Sequence, residues 1–136
     1  MKTYTIRELS QLFNLPASTL RYYEEIGLLE NVEHKNNQRI YCDRHIQRLC
    51  AIDCFKHTGL PIARMKTFFN CENNLAENID EIIELVSEHE KNVIQQIQLL
   101  QEKLLHIQHK VRYYNGIKKA IDNQREWPKW EEFDIE

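Results

Sequence analysis

Cysteines stand at positions 42, 50, 54 and 71 of the 136-residue sequence, and thiols are the most nucleophilic groups it offers. Cys50, Cys54 and His57 are spaced four and three residues apart, which puts them on one face of a helix. They are three potential soft-metal ligands, one short of a tetrahedral set, so no metal is expected. Lys56 and His57 neighbour Cys54, and positive charge beside a thiol favours the thiolate, the species that adds to carbonyl carbons. Cys42, Cys50 and Cys71 read as structural. A second group suits another chemistry. Ser18, Thr19, Arg21 and Tyr22 lie on the exposed part of a short helix. Arginine can bond a guanine edge or a phosphate in bidentate fashion, and hydroxyls suit phosphates. Lys35, Asn36 and Arg39 add charge and amide to a following hairpin, where backbone contact is expected. No nucleophile–base–orienter set, phosphate loop or metal cage is present, so neither an enzyme nor a cofactor is expected.

The elements that must position these groups are helical in the main. Thr5 begins a helix to Phe13, with Glu8 three residues on in a capping-box pattern and Ile6, Leu9, Leu12 and Phe13 at helical spacing. Asn14-Leu15-Pro16 breaks it. Pro16 or Ser18 opens a second helix that carries Leu20, Tyr23 and Ile26, and Gly27 closes it. Two short helices about a tight turn are a helix-turn-helix, whose second helix enters a major groove. Asn36-Asn37 is the tip of a two-stranded hairpin, a wing. Asp43 is expected to cap a third helix through His57, with Ile46, Leu49, Ile52 and Phe55 on its buried side. Gly59 ends it, and Pro61 begins a fourth helix holding Ile62, Met65, Phe68 and Phe69. Residues 71–78 read as a linker.

From Ile79 no Gly or Pro interrupts the chain until Gly116. Steps of four and three give Ile79, Ile83, Val86, Glu90, Val93, Ile97, Leu100, Leu104, Ile107, Val111, Tyr114, Lys118 and Ile121, apolar at all but two positions. A seam of this length is a coiled coil over 79–121 that requires a partner helix, and a second copy is the expected partner. The fold class is therefore mainly α: a winged helix-turn-helix domain over 1–70, then a long dimerisation helix, then an aromatic tail over 122–136. Net charge splits with this division. Residues 1–70 hold 10 Lys+Arg against 7 Asp+Glu, whereas 71–136 hold 8 against 14. A basic front half can meet phosphates while the acidic rear stays off them. No apolar run could span a bilayer, and the start MKTYTIREL lacks a signal's apolar stretch, so a cytoplasmic location without membrane contact is expected.

The string YTIRELSQLFNLPASTLRYYEEIGLL, followed by RIY and by DRHIQRLCAIDCFKHTGLPI, resembles the MerR family of bacterial transcription regulators. Thr19-Leu20-Arg21-Tyr22-Tyr23-Glu24 and Gly27-Leu28-Leu29 carry the likeness most specifically. One departure lies at the wing tip, where the family's Asn-Gly-Tyr-Arg is Asn36-Asn37-Gln38-Arg39. Asn37 can take the glycine's conformation, but an aromatic phosphate contact is lost at Gln38. The resemblance implies a homodimer on double-stranded promoter DNA that bends and untwists an overlong spacer, and so acts on RNA polymerase through the promoter. It places Thr5, Ser18, Thr19, Arg21, Tyr22, Lys35, Asn36, Arg39 and Tyr41 at the DNA. His57 and Arg64 flank a loop, Gly59-Leu60-Pro61, that is similar to the family's second wing.

The resemblance also bears on the effector. No Cys follows 71, so the thiolate loop of metal-sensing members is absent, and 122–136 is too short for the ligand domain of multidrug-sensing members. The stretch Ile52 to Ile62 looks like the branch that answers aldehydes and other electrophiles, which implies Cys54 as the sensing thiol. The alternative is a non-covalent pocket under the tail that holds Trp127 and Trp130, residues whose other reading is a hydrophobic clasp. A coiled-coil scaffold that binds protein is the reading from another class.

Overall fold

The computed structural model describes residues 2–133 and divides between His89 and Glu90 into two compact units. The first contains β1 (Thr3–Tyr4), α1 (Ile6–Phe13), α2 (Ala17–Glu25), β2 (Glu33–Lys35), β3 (Gln38–Cys42), α3 (Asp43–His57), α4 (Ile62–Asn73) and the start of α5 (Leu75–Asp122). The strands form one antiparallel sheet in the order β1-β3-β2.

Local chemistry fixes the helix ends. The Thr5 hydroxyl accepts from the Glu8 N–H and the Glu8 carboxylate accepts from the Thr5 N–H, both at 3.1 Å, a reciprocal cap on α1. Asn14 ends α1 at φ 53°. Gly27 takes φ 85° just after α2, and the turn lets the Leu28 and Leu29 amides return to the Tyr23 carbonyl. That turn sends Leu28 and Leu29 into a core with Leu9, Leu20, Tyr41, Leu49 and Ile52, all 2% exposed or less.

Asp43 does not cap α3, as the sequence suggested. Cys42 is the N-cap, and its N–H donates to His45 Nδ1 at 3.0 Å. His45 Nε2 in turn lies 2.7 Å from the Glu30 carbonyl, so the ring accepts on one side and donates on the other. Asp43 accepts instead from the Tyr4 hydroxyl at 3.0 Å, tying β1 to α3.

The expected linker over 71–78 is mostly helical. Cys71 is buried near the end of α4, and burial pushes its thiol pKa up. Asn74 caps α4 and α5 begins at Leu75, with non-helical angles at Asn74 (φ −130°, ψ 59°) and again at Asn78 (φ −118°, ψ 19°), whose side-chain amide donates to the Asn74 carbonyl. The first unit runs past residue 70 because Ile82 and Leu85 are buried, Leu85 within the core that holds Phe69.

The second unit is the rest of α5 and the tail. Trp130 stacks on His109 at 3.7 Å between ring centroids, and His109 Nε2 donates to the Trp130 carbonyl at 2.6 Å. Tyr113 meets the indole edge-on and Lys110 lies over it, so Trp130 clasps its own helix. Trp127 is exposed, and the last part of the expected tail, residues 134–136, lies outside the described residues. Among the described residues no helix is long and apolar enough to cross a membrane.

Candidate nucleic-acid interface

α2 displays the groups expected at DNA. Leu20 and Tyr23 face the core, and helical spacing therefore turns Ser18, Arg21 and Tyr22 outward. All three are exposed and Thr19 is half-buried. Arg21 could have been spent on a neighbouring carboxylate. Glu24 is instead engaged by Arg39, which leaves the Arg21 guanidinium without an ion pair among the described residues.

The wing is a two-residue hairpin. Lys35 pairs with Gln38, and Asn36 and Asn37 both lie in the left-handed region at φ 53° and 63°. A turn of that kind needs positive φ at both central residues, which asparagine tolerates. Lys35 and Asn36 are exposed near its tip. Tyr41, expected among the DNA contacts, is wholly buried, because inward alternation along β3 drives it into the core. It presents no surface to a ligand, and its hydroxyl has no hydrogen-bond partner among the described residues.

The second loop is formed by Gly59 at φ 83° between α3 and α4. Arg64 is exposed beside it and paired with Glu88 at 2.8 Å. His57 is exposed, with Nδ1 2.8 Å from the Asp53 carbonyl and 3.3 Å from the Asp53 carboxylate. Its ring is thus engaged one turn back on α3 by Asp53 rather than by a thiol. Cys50 and Cys54 are both exposed, so neither packs the core, and among the described residues no cluster of three metal ligands forms.

Three residues that support these elements escaped the sequence reading. Glu24 carries two wing contacts, and His34, 3.8 Å from it, is one of them. Their signal was the hairpin register, which places His34 opposite Arg39 once Asn36-Asn37 is accepted as the turn. A third, His89, lies 2.7 Å through Nε2 from the Thr58 hydroxyl, which itself donates to the Cys54 carbonyl at 2.8 Å.

Comparison with known proteins agrees with this geometry. Residues 4–70 match the model of the MerR HTH family regulatory proteins. An uncharacterized HTH-type transcriptional regulator of Haemophilus influenzae is 32% identical over 117 residues, covering 85% of this chain and 87% of that protein. The crystal structure of HiNmlR, described as a MerR family regulator lacking the sensor domain and bound to promoter DNA, superposes with a TM-score of 0.81 at 27% identity, over 99% of this chain and 98% of that one. The Bacillus subtilis regulator AdhR is 38% identical, but over 58 residues only, 42% of this chain and 41% of its own. Fold, motif and similarity over nearly the full length together make this chain a member of the MerR family of helix-turn-helix transcription regulators.

Proposed function

We propose that the chain is a dimeric regulator that binds double-stranded promoter DNA through α2 and the wing. The observation that carries this is the exposed Ser18, Arg21 and Tyr22 face of α2 beside a hairpin tipped with Lys35 and Asn36. Thr5, Thr19, His57 and Arg64 flank that surface as backbone contacts. Its relative HiNmlR is described as bound to promoter DNA, and the likeness spans the whole chain. The dimer would form on the α5 seam, where Ile97, Leu100, Leu104, Ile107, Val111 and Tyr114 are each about half exposed or more. Such a stripe on an isolated helix calls for a second helix. The same chemistry implies a cytoplasmic protein without catalytic activity, acting on RNA polymerase through promoter geometry.

The test is salt-dependent binding. A footprint over the DNA upstream of its own or an adjacent gene should appear at low salt and weaken steeply as salt rises. Arg21→Ala should weaken specific binding by ~1–3 kcal/mol if Arg21 reads a base edge. Lys35→Ala should weaken all sequences alike. Unchanged binding in both variants would remove α2 and the wing from the interface.

For the effector, Cys54 as a sensing thiol is supported by its exposure, which opens it to small electrophiles. Its carbonyl is also linked through Thr58 to His89 on α5, a short route from the thiol's own turn to the long helix.

A further inference from the structure

We propose that Glu24 is a positioning residue that clamps the wing to the recognition helix, so that the two address DNA as one rigid unit. The inference rests on the DNA-binding reading above and adds to it a residue that contacts no DNA itself. Glu24 lies one turn beyond Arg21 on α2, and its carboxylate accepts a hydrogen bond from one strand of the wing and faces, beyond hydrogen-bond reach, a histidine of the other. Oε2 is 2.6 Å from Arg39 Nε on β3, and Oε1 is 3.8 Å from His34 Nε2 on β2.

Register makes this possible. His34 and Arg39 are direct cross-strand partners in the hairpin, so both side chains project from one face. Lys35 and Gln38, the next pair, project from the other. A slip of one residue would exchange the faces and leave Glu24 without either partner. The left-handed Asn36-Asn37 turn fixes the register and with it the clamp. Tyr41 follows Arg39 by two residues on the same face of β3 and is buried in the core, so the strand that carries Arg39 is anchored at its foot. The Arg39 and Glu24 side chains are only 30% and 22% exposed, which screens their attraction less than that of a surface pair. Arg39 uses Nε on Glu24, and its terminal amines remain for a phosphate.

A carboxylate at a DNA-facing helix otherwise repels phosphates. Charge alone therefore predicts that Glu24→Gln strengthens binding, while the clamp predicts that it weakens specific binding. This difference in sign separates the two. The full chain would be used to select a duplex from random sequence, and affinities of Glu24→Gln, Arg39→Ala and the double variant measured by fluorescence anisotropy on that duplex and on an unrelated one. Glu24→Gln should lose roughly fivefold or more on the selected duplex, hold or gain on the unrelated one, keep its salt slope, and add nothing in the Arg39→Ala background. Amide hydrogen exchange over 33–42 in the free protein should accelerate in both single variants while the Leu49 and Ile52 amides stay protected, a readout that needs no DNA. Stronger binding by Glu24→Gln, additive losses, or unchanged exchange in the wing would overturn the clamp. Failure of the unmodified protein to enrich any duplex would overturn the DNA-binding reading, and the clamp's purpose with it.

Discussion

Truncating Leu100 to Ala tests the dimer seam quantitatively. Leu100 is 68% exposed on α5, more than any other large apolar residue of the seam. Fully burying a leucine side chain is worth about 1.5–3 kcal/mol, so covering the exposed two-thirds contributes ~1–2 kcal/mol per chain. A symmetric dimer contains the residue twice, which doubles the loss to ~2–4 kcal/mol. At about 1.4 kcal/mol per decade the dissociation constant should rise roughly 30- to 700-fold. Alanine is the best helix former, so α5 itself should not weaken. Sedimentation equilibrium across a protein concentration series reads the constant directly. Leu99→Ala is the control, since Leu99 is 54% exposed but lies about 100° round the helix from Leu100. It should cost less than tenfold. A Leu100→Ala dimer as tight as the unmodified one, or a larger loss at Leu99, would show that the helices meet on another face.

Three further predictions follow from single contacts. Tyr41→Phe removes a buried hydroxyl that has no partner and should stabilise the fold by ~1 kcal/mol in urea titration. Burial raises the Tyr41 pKa, so its contribution is intact below the ordinary tyrosine value of about 10 and is lost as pH rises beyond it; the Phe variant should lose less stability in that alkaline window. Asn37→Gly should leave or slightly raise stability, whereas Asn37→Ala, forced to φ 63°, should lose ~1–2 kcal/mol by thermal melt and loosen the wing. Cys54→Ser should preserve dimer and DNA affinity but abolish reporter induction by aldehydes, while Cys50→Ser, equally exposed, should respond normally; the reverse pattern would move the sensor to Cys50.

Much of the architecture was legible in the chain because local rules decide it. The Thr5–Glu8 cap, the Gly27 and Gly59 turns and the Asn36-Asn37 hairpin each depend on residues within a few positions of one another, and each appears as the pattern implies. Exposure of Arg21 and Tyr22 follows in the same way from the burial of Leu20 and Tyr23 one helical step away.

What the linear pattern misjudged depends on distant partners. Asp43 looked like a cap by type and position, but the Tyr4 hydroxyl, 39 residues away in sequence, claims its carboxylate. Tyr41 looked like a contact residue, but alternation along β3 and the cores of α1 and α2 draw it inward. Residues 71–78 looked like a linker, yet the chain leaves helical geometry there only at Asn74 and Asn78, and the burial of Cys71, Ile82 and Leu85 holds the flanking helical turns in the first unit. Sequence alone therefore determined the helices, the wing hairpin and their order, since hydrogen-bonding caps, turn φ values and apolar periodicity act over a few residues, but not β1, which pairs Thr3 and Tyr4 with Cys42 and Tyr41. Only the tertiary structure decided which charge meets which. Glu24 finds Arg39 and His34 because the hairpin folds back onto α2, a proximity that no spacing along the chain encodes.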